Sequence, residues 1–134
     1  MVVKDRDMQA RLMYIGEPGA NQDQIVVACE SQSDMQLVKT LNSLDKLVKE
    51  VRAAEPDIIM IGPRVAGQGS LDVIDDIVMQ YPDVPLVAIL EENDPTRAQQ
   101  VMLAGARAFI TEPFTQVNLL STLRRVRDLE ARRS

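Results

Sequence analysis

The chain has 134 residues, a length that forms one domain with a core of its own and without help from metals or disulfides. A net charge of −5 opposes binding to a phosphate backbone, and with aromatics at 3% and no Trp there are few rings to stack on bases, so both argue against nucleic acid as a partner. His is absent, which removes His-based catalytic triads and His-built zinc sites.

Residues 1–10 read as an N-terminal extension. Their lack of an apolar signal segment, and the lack anywhere of the ~18 consecutive apolar residues that span a bilayer, predict a cytoplasmic domain without membrane insertion. The first strand is "RLMYI" (11–15), closed by Gly16. The loop "GEPGAN" (16–21) then leads into a helix capped by Asn21 and running to about Ser31. Glycine-rich turns can present amides to an anion at a helix start, but Glu17 and Asp23 oppose that use here. Cys29 ends the apolar run "IVVAC" in this helix; a single Cys forms no internal disulfide, and it reads as a small core residue.

"QLVKTL" (36–41) is the second strand, followed by a helix capped by Ser43 and carrying Leu44, Leu47, Val48 and Val51. "DIIMI" (57–61) is the third, stopping at Gly62 and Pro63. Ser70 caps the next helix, with Leu71, Ile74, Ile77 and Val78 on its apolar side. "PLVAIL" (85–90) is the fourth strand, and Asp94 before Pro95 starts a helix that turns Ala98, Val101 and Met102 inward. "RAFI" (107–110) is the last strand, and a helix from about Thr115 to Arg132 packs through Val117, Leu120, Leu123 and Val126. Five strand–helix units in series predict a doubly wound α/β domain, a parallel sheet with helices on both faces, in which the uninterrupted apolar character of "DIIMI" and "LVAIL" marks central strands. The end "RRVRDLEARRS" (124–134) has five Arg against two acids. This reads either as a helix end whose cations face the negative pole of the helix dipole, or as a junction or contact surface. The domain is placed at 11–131, with 132–134 a tail or the start of a linker.

In an open parallel sheet, ligands gather beyond the carboxyl ends of the strands. Those ends present Gly16 and Glu17, then Gly62, Pro63 and Arg64, then Leu90, Glu91 and Glu92, and last Thr111, Glu112 and Pro113. No catalytic residue or cofactor motif is read among them. Glu17, Glu91 and Glu112 could gather round a hard cation, or Arg64 could pair with one of them, Glu91 included, and fill the site internally.

The stretch "MLAGARAFITEPF" (102–114), with "PDIIMI" (56–61) upstream and five strand–helix units, resembles the receiver domain of bacterial response regulators. The resemblance implies a flavodoxin-like, five-stranded parallel sheet in the order 2-1-3-4-5. It also implies a phosphoacceptor pocket at the strand ends, and here that pocket is degenerate. Gly62 stands where the family's acceptor Asp would be, Gly16 and Glu17 at its acidic pair, Leu90 at its hydroxyl residue and Glu112 at its Lys. Phe109 falls at the switch aromatic, and Pro113 at a proline with a cis bond.

Phosphoryl transfer needs a nucleophilic oxygen, a divalent cation and positive charge. Gly62 supplies no oxygen, Glu112 carries the wrong sign, and Asp57 lies about 16 Å away at ~3.3 Å per residue, on the wrong edge of the sheet. A receiver-like module that mediates protein–protein interaction without phosphorylation is therefore expected, not an enzyme and without cofactor. The alternatives are a cation or small-ligand sensor, or a phosphoacceptor that uses another acid. The 102–114 run and the Arg-rich last helix are also similar to the amino-terminal domain of TadZ/CpaE-type pilus assembly proteins. That similarity implies a role in pilus assembly or localisation beside an appended effector domain. A homodimer is expected through a seam of Leu119, Val126 and Leu129 bordered by Arg125, a surface such receivers commonly use.

Overall fold

The computed structural model describes residues 9–133; of the expected N-terminal extension, residues 1–8 lie outside the described residues, as does residue 134 of the tail. In chain order the elements are β1 (Ala10–Ile15), α1 (Ala20–Glu30), β2 (Met35–Leu41), α2 (Leu47–Ala54), β3 (Ile58–Ile61), a small hairpin of β4 (Arg64–Val65) and β5 (Gln68–Gly69), α3 (Ser70–Gln80), β6 (Leu86–Leu90), α4 (Pro95–Ala104), β7 (Ala108–Thr111) and α5 (Gln116–Arg133). The five principal strands are parallel and lie in the order β2-β1-β3-β6-β7. That is the doubly wound order expected, with the first strand flanked by the second and third. The last helix carries on through Arg132 and Arg133, so the expected tail continues a helix.

Side-chain alternation along each strand splits the core into two layers. Leu12 and Tyr14 of β1, Met60 of β3 and Val87 and Ile89 of β6 pack with Ile25 and Cys29 of α1 and with Leu119, Leu123 and Val126 of α5. Their neighbours Met13, Ile15, Ile59, Ile61, Ala88 and Leu90 point the other way, into a layer closed by Leu47 and Val51 of α2, Val73, Ile74 and Ile77 of α3, and Val101 of α4. Every residue of β3 and β6 is buried, as strands covered on both faces require.

Local chemistry moves several helix starts. Asp94 caps α4 as the sequence predicts, accepting hydrogen bonds from the Thr96 and Arg97 amides at 3.0 and 3.2 Å. The expected caps Asn21, Ser43 and Ser70 do not act as caps. Gly19 precedes α1, with Asn21 already inside the first turn. Ser43 lies just before a turn in which Leu47 N–H donates to the Leu44 carbonyl, so α2 starts at Leu47. Ser70 is the first residue of α3 and is buried, its amide donating to the Pro63 carbonyl at 3.1 Å. The β4–β5 hairpin has no counterpart in the predicted elements. Its turn places Ala66 at φ 50° and Gly67 at φ 84°, so the chain reverses in two residues and stands the hairpin over the end of β3.

The register of α5 also differs from expectation. Leu119, Leu120, Leu123 and Val126 form the buried stripe, whereas Val117 is 77% exposed on the opposite side. The expected seam of Leu119, Val126 and Leu129 therefore does not exist as a surface: Leu119 and Val126 belong to the core and only Leu129 reaches solvent. Met102, expected to face inward, points outward from α4, because a helix buried on one narrow side takes in Val101 and turns its neighbour away.

Candidate functional site

The ends of β1, β3, β6 and β7 bound a cleft, and backbone hydrogen bonds fix its floor. Gly16 N–H donates to the Leu41 carbonyl at 2.9 Å and Gly62 N–H to the Ile15 carbonyl at 2.8 Å. Since Ile15 is in register with Ile61, the next residues on the two strands, Gly16 and Gly62, stand side by side. Glu17 N–H reaches the Arg64 carbonyl at 3.2 Å and Glu112 N–H the Leu90 carbonyl at 2.8 Å, which ties the rim to the hairpin and to β6. The Asn42 side chain donates to the Gly16 carbonyl at 2.8 Å and closes the β2 side.

Both glycines are buried, and what covers them is Tyr14. This side chain leaves β1 on the same face as Gly16, two residues on, and its ring lies across the ends of β1 and β3. A Cβ on Gly62 would stand 2.5 Å from the Tyr14 hydroxyl and 3.3 Å from Cζ. A Cβ on Gly16 would collide with the same hydroxyl and lie 2.6 Å from Cζ. The two positions are glycine because the phenol occupies the volume their side chains would need. Tyr14 is 1% exposed, yet its hydroxyl has no hydrogen-bond partner among the described residues and lines the cleft. Burial, and after it the negative charges of Glu112 and Glu17, push the phenol up to about 12, so it is neutral at physiological pH.

Of the other site residues, Asn21 and Glu112 meet: the Asn21 amide donates to a Glu112 carboxylate oxygen, linking the first turn of α1 to the end of β7. Glu17 and Glu91 are exposed on the rim. The expected pairing of Arg64 with Glu91 is not formed. The guanidinium instead donates to the Gly67 carbonyl at 3.2 Å within its own hairpin, whose tight turn holds that acceptor close by. The three rim glutamates do not gather round a metal position, and no cluster of three or more ligating side chains exists among the described residues. Leu90 is buried, directed into the layer of α3 and α4 and away from the cleft. The Glu112–Pro113 peptide bond is cis. Phe109 is 40% exposed on edge strand β7, outside the cleft. Asp57 precedes β3 at the opposite edge of the sheet, where its carboxylate accepts from the Arg11 amide at 2.8 Å.

Sequence reasoning located the cleft by its strand ends and missed its occupant. In "RLMYIGEP", Tyr14 reads as one more apolar strand residue. The signal that could have found it is the pair of glycines at the ends of two adjacent strands, together with a bulky residue two positions before one of them.

No family model matches the chain. In sequence it is similar to the response regulator GacA of Pseudomonas viridiflava, 26% identical over 95 residues, which make up 69% of this chain and 43% of the relative. The probable C4-dicarboxylate response regulator DctR of Halalkalibacterium halodurans is 27% identical over 94 residues, 70% of this chain and 41% of the relative. The chain thus spans less than half the length of these curated relatives. In structure it superposes on a CheY-like receiver domain from Methanospirillum hungatei with a TM-score of 0.77 at 11% identity, over 94% of this chain and 99% of the other. NtrX of Brucella abortus gives 0.82 at 19% identity, over 94% of this chain and 29% of NtrX. The superpositions give the chain the fold of a CheY-like receiver domain, and its sequence similarity is to response regulators.

Proposed function

We propose that this chain is a receiver-type signalling module that works without phosphorylation, through docking to a protein partner or to an appended effector domain, and that it is not an enzyme. One observation carries this reading: the Tyr14 phenol fills the space between Gly16 and Gly62, where an acceptor carboxylate and its cation would have to sit. Phosphoryl transfer requires a nucleophilic oxygen, a divalent cation and compensating positive charge. The cleft offers a neutral phenol and a rim of Glu17, Glu91 and Glu112 instead. Asp57, the acid nearest along β3, is bound to the Arg11 amide at the far edge, which speaks against a substitute acceptor.

Similarity to response regulators supports a place in signal transduction. The 102–114 run and the Arg-rich α5 support the narrower placement beside TadZ/CpaE-type pilus assembly proteins, in the cytoplasm. The surface best suited to a second copy is the one carried by α4, β7 and α5, where Met102, Leu103, Phe109 and Leu129 are exposed and Arg125 adds positive charge. Incubation with acetyl phosphate and Mg²⁺, followed by intact-mass measurement, tests the central claim. The mass is expected to stay unchanged, and a gain of one phosphoryl group per chain would overturn it.

A further inference from the structure

We propose that the cleft at the strand ends binds a small organic cation through ammonium or guanidinium N–H groups, with the Tyr14 hydroxyl at its floor and Glu17, Glu91 and Glu112 around it. The cleft has a volume of about 530 Å³, the size of a small-molecule site and far more than one ion needs. Its charge is unbalanced. Among the described residues Glu17 and Glu91 have no side-chain hydrogen bond or ion pair, and Glu112 has the uncharged Asn21 amide. Arg64, the cation of the lining, spends its guanidinium on the Gly67 carbonyl.

A second observation points to a ligand independently of the carboxylates. The Tyr14 hydroxyl belongs to a side chain that is 1% exposed, opens only onto the cleft and has no partner among the described residues, so the hydrogen bond it can still make is to an occupant of the cleft. A neutral phenol oxygen accepts an N–H and can pass its own hydrogen to a carboxylate. The dispersed carboxylates suit a ligand with several spaced donors; a metal ion requires oxygens drawn together within its coordination shell, which these are not. The inference does not depend on the docking function, because a cleft can take a ligand whether or not the module binds a protein.

The test is an amide-resolved NMR titration of the 134-residue chain with putrescine and with methylguanidinium, alongside Mg²⁺ and tetramethylammonium. Expected are saturable shifts at Gly16, Glu17, Asn21 and Gly62 with the two N–H donors. Affinity should fall by about tenfold in a Glu17→Gln, Glu91→Gln variant and by about fivefold in Tyr14→Phe, as loss of charge-assisted and hydroxyl contacts predicts. The glutamates are exposed, so their variant keeps the test valid even if Tyr14→Phe perturbs the fold. Absence of saturation at roughly 10 mM, well above the millimolar range of the weakest specific sites, would overturn the proposal. So would equal shifts with Mg²⁺ or tetramethylammonium, because a site built on N–H acceptors must distinguish them.

Discussion

Two atoms of Tyr14 set different fates for the two glycines beneath it. A methyl at Gly62 meets the hydroxyl first, with Cζ at 3.3 Å, whereas one at Gly16 meets Cζ itself at 2.6 Å. Gly62→Ala should therefore cost about 1–3 kcal/mol by overpacking, and most of this should return in a Tyr14→Phe background, which removes only the hydroxyl. Gly16→Ala should gain no such relief. Urea midpoints for both double-mutant cycles check the pair of statements, and equal rescue at the two positions would contradict the placement of the ring. Cys29 gives a second residue-level expectation. It is 3% exposed, and burial pushes its thiol up to about 11. Labelling by a thiol reagent near neutral pH should be slower in the native chain than in the denatured chain by on the order of a hundredfold. Comparable rates in the two states would place the thiol outside the core.

At the scale of elements, α5 is held to the loop before β2 by an acid between two arginines. Asp34 accepts from Arg124 Nε at 3.0 Å and Nη2 at 3.1 Å, and from Arg127 Nη1 at 2.8 Å. These hydrogen bonds hold its carboxyl well below the usual carboxylate range. A depressed folded value means that the stabilisation is fully present above the unfolded value of about 3.9 and is lost as pH falls below it. Asp34→Asn should cost about 1 kcal/mol at neutral pH, the upper end for a pair this open to water. The gap between parent and variant should narrow below about pH 4, which denaturant midpoints across pH will show. The β4–β5 turn leads to the opposite sign. Ala66 is held at φ 50°, a conformation that costs an ordinary L residue roughly 1–2 kcal/mol and that Asn tolerates well. Ala66→Asn creates Asn-Gly, the favoured pair for such a two-residue turn, and should raise stability by about 0.5–1 kcal/mol in a thermal melt.

For the molecule as a whole, the surface proposed for a second copy rests on the exposed apolar residues of α4 and β7, beside α5. If a second copy docks there, a Leu103→Glu, Phe109→Glu variant should sediment as a monomer at concentrations where the parent is dimeric, because the apolar centre of an interface carries its affinity. An Arg125→Glu change at the rim should matter far less. A parent that is monomeric at tens of micromolar removes this surface. How the fold could be seen in sequence, and the site only partly, follows from the same scale. Apolar runs such as "DIIMI" and "LVAIL" must be buried on both sides wherever they lie, so they declare strands and layers alone. The α5 register was not legible, since Val117 and Leu119 are equally apolar and only packing against β7 and α1 chooses between them. Gly62 was legible as an emptied position. That Tyr14 empties it was not, because the two meet only after β1 and β3 pair in the register that sets Gly16 beside Gly62.

That three-residue arrangement also restricts how this lineage of sequences can change. A step that introduces an acid at Gly62 while Tyr14 remains must be accommodated against a ring already in place, at about 1–3 kcal/mol. A step that first shrinks Tyr14 leaves an unfilled volume beneath two glycines, at about 3–5 kcal/mol for a buried ring. Domains of this size hold only some 5–15 kcal/mol in reserve, so either intermediate gives up a large share of it with no acceptor chemistry gained, since Leu90 and Glu112 are still in place. Any route to an acid at this position crosses a valley in stability, and drift by single substitutions is held on the side where the pocket is full.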